Sequence, residues 1–328
     1  MRMHNVEEFL SGIKTMGIAG HIRPDGDAVG STMALYLYVK KYHPEIHADV
    51  YLDHPNPVFQ QIDRIDEIKT SVDEPEKIYD LFVACDVSSQ ERISVGGELF
   101  ANAKKTVCID HHISNTGFAD INHICGEIGS CCEVLYKLFD FEKVTCDIAT
   151  ALYTGMIHDT GVFQYPNTTA ETLRIAAALV ETGVPFSRII EESFYQKSYV
   201  QNQVMGRVLA ESIMMMEGKC IVGYLRRRDL IFYGVTGTDL DGVVSQLRYT
   251  KGIEVAMFLY ETAPQTFKVS LRSTGRLDVS KVASYFGGGG HEAAAGCEME
   301  GSVHDAINNI TAQISRQLDE LERKASEE

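Results

Sequence analysis

A chain of 328 residues, 45% of them hydrophobic, has material for two domains with proper cores. Its 46 acidic and 30 basic residues give a net charge of −16. That balance argues against tracking long DNA or RNA, which takes a basic stripe, and leaves short phosphorylated ligands open. No apolar run approaches the roughly 20 residues of a membrane span. The N-terminus MRMHNVEEFL has no signal-peptide core, so the expected compartment is the cytoplasm.

In chain order, residues 6–14 predict an entry helix and Thr15–Gly20 a short strand. His21–Gly30 reads as a loop and Ser31–Lys41 as a helix. Ile46–Leu52 predicts a second strand, followed by a turn at His54–Pro57. Tyr79–Asp86 is a nearly continuous apolar run ending in an acid, the pattern of a strand buried on both faces. Gly96–Ala103 predicts a helix. Thr106–Ile109 is a β-branched run leading into Asp110-His111-His112, and Ala119–His123 suggests a further strand.

Ser130–Phe139 and Asp147–His158 predict helices, with Ser130 and Asp147 as N-caps and Glu133 completing a capping box on Ser130. Thr169–Thr182 predicts a helix stopped by Gly183. Strands alternating with helices over this half predict an α/β domain with a doubly wound parallel sheet. Pro185–Glu211 then reads as a polar helical connector. Cys220–Leu225, Ile253–Tyr260 and Phe267–Arg272 predict strands; Gly242–Leu247 and Val279–Phe286 predict helices. Gly287–Gly290 is a four-glycine run before His291. Ser302–Arg323 predicts a closing helix, with Lys324–Glu328 as a frayed tail. The expected division is a catalytic domain over 1–185, a linker over 186–212 and a smaller α/β domain over 213–328.

The eight cysteines (85, 108, 125, 131, 132, 146, 220 and 297) form no CxxC pair and sit mostly in apolar runs. Buried, reduced thiols explain them better than structural zinc.

Four clusters carry the chemistry. His21, Asp25 and Asp27 fall within one heptapeptide. Asp86 ends an apolar strand. Asp110, His111 and His112 end another. Asp159 ends a helix. Singly, each has a plain structural reading: Pro24-Asp25-Gly26-Asp27 is ordinary turn chemistry, and a helix-terminal Asp is commonly surface. Together they offer more carboxylates and imidazoles than one ion needs. Mixed oxygen and nitrogen donors suit a hard-to-borderline divalent ion such as Mn²⁺, and two such ions sharing a carboxylate would use them all.

The ordered series HIRPDGDAVGS, VACD, IDHH and HDTGVF resembles the four motifs of the DHH phosphoesterase superfamily. Leu271-Arg272-Ser273 and GGGGH with Ala293–Gly296 resemble its DHH-associated C-terminal domain. The resemblance covers nearly the whole chain. It implies an active site in an interdomain cleft and metal-assisted hydrolysis by water without a covalent intermediate. It also implies that His21, Asp25 and Asp86 hold one manganese, and that Asp27, Asp86, His111 and Asp159 hold the other. Asp110 would orient a histidine, and His112 would face the scissile phosphate. Arg272, Ser273, Gly288, Gly289, Gly290 and His291 would bind a terminal phosphate of the substrate. Within the family the chain looks like the stand-alone branch that degrades RNA oligomers of a few nucleotides and dephosphorylates 3′-phosphoadenosine 5′-phosphate. The alternative is a stand-alone phosphodiesterase acting on cyclic di-AMP or pApA. A homodimer is compatible with the sequence but not fixed by it.

Overall fold

The computed structural model describes residues 5–327. The chain divides at Gln196/Lys197 into two compact units.

The first unit is built on a parallel sheet of five strands, β1 (Thr15–Ala19), β2 (His47–Tyr51), β3 (Leu81–Cys85), β4 (Thr106–Asp110) and β5 (Ile121–Ile124), in the order β2-β1-β3-β4-β5. All five residues of β3 are buried, as its unbroken apolar run requires. One face packs Met16, Ile18, Val83, Val107 and Ile109 against the larger helices. The other packs Phe82, Ala84 and Tyr51 against Leu99 and Phe100. The chain leaves β1 to pair β2 on one side and β3 on the other. In open α/β sheets, the carboxyl ends of strands flanking such a switch point form a crevice. Here those ends carry His21, Asp86 and Asp110.

The helices of this unit are α1 (Val6–Leu10), α2 (Gly26–Tyr42), α3 (Gly97–Ala101), α4 (Cys131–Leu138), α5 (Cys146–Asp159), α6 (Ala170–Glu181) and α7 (Phe186–Ile190). Helix α1 stops at Leu10, short of the expected residue 14; Ser11 is extended and Gly12 has φ +80. Helix α2 starts five residues before the expected Ser31, because Asp25 caps it: its Oδ1 accepts the N–H groups of Asp27 and Ala28 at 3.0 and 3.1 Å. The expected loop is thereby shortened, and Asp27 is carried into the first turn. Ser130 caps α4 through the Glu133 N–H, but the reciprocal bond of a capping box is not made. The Glu133 carboxylate is taken by Lys137 and Thr172 instead. Helix α5 is entered from Thr145, so Asp147 lies inside its first turn rather than at the cap. The predicted connector comprises α7, a π-helical turn at Glu191–Tyr195, and α8 (Tyr199–Ala210).

The second unit has a mixed six-stranded sheet. Its strands are β6 (Ile213–Met215), β7 (Cys220–Leu225), β8 (Val255–Ala263), β9 (Thr266–Ser273), β10 (Gly289–His291) and β11 (Ala294–Glu300), in the order β10-β11-β9-β8-β7-β6. Besides α8 it contains α9 (Arg227–Tyr233), α10 (Val243–Arg248), α11 (Val279–Tyr285) and α12 (Val303–Glu327). Val222, Met257, Val269 and Leu271 pack one face with α11 and α12. Ile221, Ala256 and Phe258 pack the other with α8 and α10. Helix α12 runs to Glu327, through most of the expected tail; Lys, Ala and Glu there are good helix formers. The glycine run is no open loop: its end forms edge strand β10, paired antiparallel to β11. All eight cysteines are free thiols. No helix among the described residues is long and apolar enough to cross a membrane.

Candidate metal centre

His21 lies two residues beyond the end of β1, and an antiparallel bridge to Ile93 holds it there. Its Nδ1 lies 2.8 Å from the Ile22 carbonyl, so Nε2 faces Asp25 Oδ1 and Asp86 Oδ2, each at 3.6 Å. Asp86 follows β3 in the left-handed region (φ 57) and is 2% exposed. Among the described residues its Oδ1 has no hydrogen-bond partner, and it lies 3.5 Å from His111 Nε2 and 3.7 Å from His112 Nδ1.

Asp27 is completely buried. Its two oxygens accept the first N–H groups of α4, from Cys131 at 2.5 Å and Cys132 at 3.0 Å. A carboxylate at the positive end of a helix is well placed to carry charge away from water. Asp159, the last residue of α5, comes within 3.0 Å of His111 Nε2. Close helix packing makes this possible. A Cβ on Gly30 would lie 2.5 Å from the Ala151 carbonyl oxygen, and one on Gly155 would lie 2.7 Å from Asp27 Oδ1.

The ligand-type atoms of His21, Asp25 and Asp86 converge within 4.8 Å of one another, as do those of Asp27, His111 and Asp159, and those of Asp86, His111 and His112. Asp86 belongs to two of these sets, the position a shared ligand would take.

The electrostatics describe a site short of positive charge. Burial pushes the Asp27 carboxyl well above the usual range, and Asp86 and Asp159 add to the repulsion. Burial likewise raises Asp86; His111 offsets part of this, while Asp25 and Asp159 work against it. Burial would lower both imidazoles, but carboxylates outweigh it. Asp25 and Asp86 hold His21 up to about 9, and Asp159 and Asp86 hold His111 up to about 12. Partial burial opposes the Asp25 charge, yet His21 and the α2 cap bring that carboxyl down to about 2. Carboxylates this crowded retain protons unless cations stand among them. With the orphaned Asp86 Oδ1 and an all oxygen-and-nitrogen donor set, the site fits divalent cations.

Asp110 orients His112 rather than His111. Its Oδ1 accepts from His112 Nδ1 at 2.7 Å, which raises the His112 pKa. His111 Nδ1 instead lies 3.3 Å from the Ile128 carbonyl. One contributor escaped the sequence reading. Asn115, buried, donates through Nδ2 to Asp110 Oδ2 at 2.7 Å and to the Val87 carbonyl at 3.0 Å, and accepts the Gly117 N–H at 2.9 Å. It locks the Asp110 carboxylate that locks His112. Its place five residues after Asp110 and two before Gly117 was the available signal. A second is His158, packed between Phe59 and Phe194 with ring centroids 5.1 and 4.7 Å away. Burial pulls its pKa down to about 4. A Cβ on Gly26 would fall 2.2 Å from its ring, so that glycine makes room for it.

In the second unit, cross-strand register aligns His291 with Ala294 and Ala294 with Arg272. Directly opposed residues share a sheet face, so Arg272 and His291 flank one alanine. Ser273 is buried, and its hydroxyl donates to the Leu277 carbonyl at 2.6 Å, closing a turn. The Gly287 and Gly288 N–H groups are spent on Ser284 and Ala283 carbonyls. Gly288 and Gly290 are required by close strand approach: a Cβ on either would meet a β11 carbonyl oxygen at 2.2 or 2.5 Å. Gly289 is exposed and unobstructed.

Comparison with known proteins gives a consistent result. The model described as the DHH family, N-terminal domain, matches residues 15–156, and that of the DHHA1 domain matches residues 217–320. The bifunctional oligoribonuclease and PAP phosphatase NrnA of Thermus thermophilus is 30% identical, over 97% of this chain and 94% of its own. The Bacillus subtilis protein of the same name is 26% identical, over 85% and 87%. Among solved structures, an exopolyphosphatase-related protein from Bacteroides fragilis superposes with a TM-score of 0.87 at 22% identity, covering 97% of this chain and 96% of its own, and so shares the fold.

Proposed function

The chain belongs to the DHH family of phosphoesterases, and from that premise we propose that it is a manganese-dependent hydrolase of short phosphorylated nucleotides. It cleaves RNA oligomers of a few nucleotides to mononucleotides and converts 3′-phosphoadenosine 5′-phosphate to AMP. Two relatives named for both activities support this reading along almost their full length. The acidic surface suits short substrates over long ones. The observation that carries the chemistry is Asp86, buried between two donor sets with an unsatisfied oxygen.

In this reading His21, Asp25 and Asp86 hold one cation, and Asp27, Asp86, His111 and Asp159 the other. When bound, two such cations supply acidification of a water and neutralisation of phosphoryl charge. The protein's own contribution is positioning. Asp27 is fixed by α4, and Asp86 by its turn. Asp110 keeps the proton of His112 on Nδ1, leaving Nε2 to meet the substrate phosphate. Arg272 and His291 receive a terminal phosphate, for which a guanidinium offers two parallel donors. In this reading the enzyme works in the cytoplasm, and no helix among the described residues is long and apolar enough to cross a membrane.

The test is hydrolysis by purified protein in Mn²⁺, comparing pAp, 5′-phosphorylated RNA of two to five nucleotides, pApA, cyclic di-AMP and pyrophosphate. Release from pAp and short RNA with cyclic di-AMP spared supports the proposal. Preference for cyclic di-AMP moves the enzyme to a signalling role. No turnover of any of them overturns it.

A further inference from the structure

Two arginines stand beside the acid cluster without engaging it. Arg23 lies between His21 and Asp25 in sequence, and Arg92 is joined to the same segment by an Ile22 N–H to Arg92 carbonyl bond of 2.9 Å. The His21–Ile93 bridge and a Ser94 N–H to Gly20 carbonyl bond of 2.9 Å fix the two segments side by side. Both arginines are exposed. Arg23 sits at φ 56, an uncommon conformation for a residue with a Cβ, held by its N–H bond to Asp53 Oδ2 at 3.0 Å.

Their side chains differ from other arginines of this unit. Arg64, Arg174 and Arg188 are ion-paired to Glu67, Glu171 and Glu192 at 2.7, 2.9 and 2.7 Å. The guanidinium groups of Arg23 and Arg92 have no ion pair, hydrogen bond or ring contact among the described residues. Carboxylates are abundant next to them, yet the ion pairs of Asp25 and Asp86 are all with imidazoles. Guanidinium groups inserted among those acids would compete with cations for them. Standing outside, they keep their donors for an anion delivered to the mouth of the centre. Arginine suits a phosphodiester there by its planar, two-point donor geometry.

We propose that Arg23 and Arg92 bind the phosphodiester adjoining the scissile one, and so make the enzyme prefer oligonucleotides over isolated phosphate esters. This rests on the phosphoesterase reading given above.

The test pairs two substrates and one binding assay. Arg23→Asn tolerates the left-handed backbone, and Arg92→Ala is on the surface. On a 5′-phosphorylated RNA trinucleotide, the double variant should lose at least about tenfold in kcat/KM, carried by KM, as expected for losing charge-assisted hydrogen bonds. On bis(p-nitrophenyl) phosphate, which has no second phosphate, it should stay within about twofold of the wild type. Equal losses on both substrates, or none on either, would overturn the inference. Trinucleotide binding is then followed by fluorescence anisotropy in Ca²⁺, under conditions where cleavage is absent. There the slope of log Kd against log salt should flatten by roughly 0.7 per lost phosphate contact. An unchanged Kd and slope would sink the proposal even if the wild type turned over nothing. Absence of wild-type turnover alone would refute the enzymatic reading, with the binding slopes still deciding the role of the arginines.

Discussion

Asp86→Asn should change thermal stability in opposite senses with and without divalent cation. In the cation-free protein the Asp86 carboxyl is raised, mainly by burial. A carboxyl whose folded pKa is raised withdraws stability as pH climbs above its ordinary value. At neutral pH the amide removes that burden, and asparagine tolerates the φ of 57 at this position. The variant in EDTA should therefore melt at or above the wild type. With Mn²⁺ at a thousandfold excess over its dissociation constant, a ligand binding only the folded state stabilises it by about 4 kcal/mol. For a unit the size of Met1–Gln196, each kcal/mol shifts the midpoint by about 2–4 °C, so the wild type should gain roughly 8–16 °C. The variant should lose most of that gain, because Asp86 serves two donor sets. Differential scanning fluorimetry with and without Mn²⁺ reads both arms. A variant that melts several degrees lower in EDTA, or that keeps the full Mn²⁺ shift, would refute the argument.

Three further outcomes follow from the same structure. Asn115→Ala should lower kcat about 10- to 100-fold, as loss of an outer hydrogen-bonding partner does, and should leave the cation-induced melting shift largely intact; loss of that shift would mean Asn115 supports the whole centre. Asp49 is buried, and its carboxylate meets Lys69, Lys77 and the Tyr79 hydroxyl at 2.7, 2.7 and 2.6 Å. Burial would raise its pKa, but Lys69, Lys77 and Tyr79 outweigh it and bring the value down to about 2. Its contribution of about 2 kcal/mol is present above the ordinary carboxyl range and lost as pH falls through about 2. Asp49→Asn should thus destabilise at pH 7 in urea unfolding, and the gap from wild type should narrow below pH 4. Gly155→Ala puts a Cβ 2.3 Å from Cys132 Sγ and 2.7 Å from Asp27 Oδ1. It should cost about 1–3 kcal/mol by overpacking and weaken Mn²⁺ binding measured by calorimetry; wild-type behaviour in both would show that α2 and α5 have room to separate.

The strands of the first unit were legible because burial on both faces leaves continuous apolar runs, as in Leu81–Cys85 and Thr106–Asp110. The gathering of His21, Asp25, Asp27, Asp86, His111 and Asp159 was legible from strand and helix ends, since a parallel sheet brings such ends to one edge. Capping was less legible. Asp25 can be read as turn chemistry or as an N-cap, and only the packed helix decides. Glu133 has the right spacing for a capping box, yet long-range partners claim its carboxylate. The resemblance implies that the glycine run binds a phosphate through free backbone N–H groups. Glycine permits that, and equally permits the close strand contact that Gly288 and Gly290 make. Asn115 went unassigned because a buried amide reveals its partners only in three dimensions.

The anchoring of Asp27 on the first turn of α4 has a consequence for how the protein is made. Its partners Cys131 and Cys132 lie 104 and 105 residues downstream, and Asp159 farther still. Contacts of such separation are costly to close and form slowly. A chain emerging from the ribosome holds His21, Asp25 and Asp27 long before α4 and α5 exist to receive them, so the early segment has no complete cation cage. Cation capture therefore waits on assembly of the sheet, and fragments ending before Asp86, which lack the ligand both donor sets need, should refold indifferently to Mn²⁺.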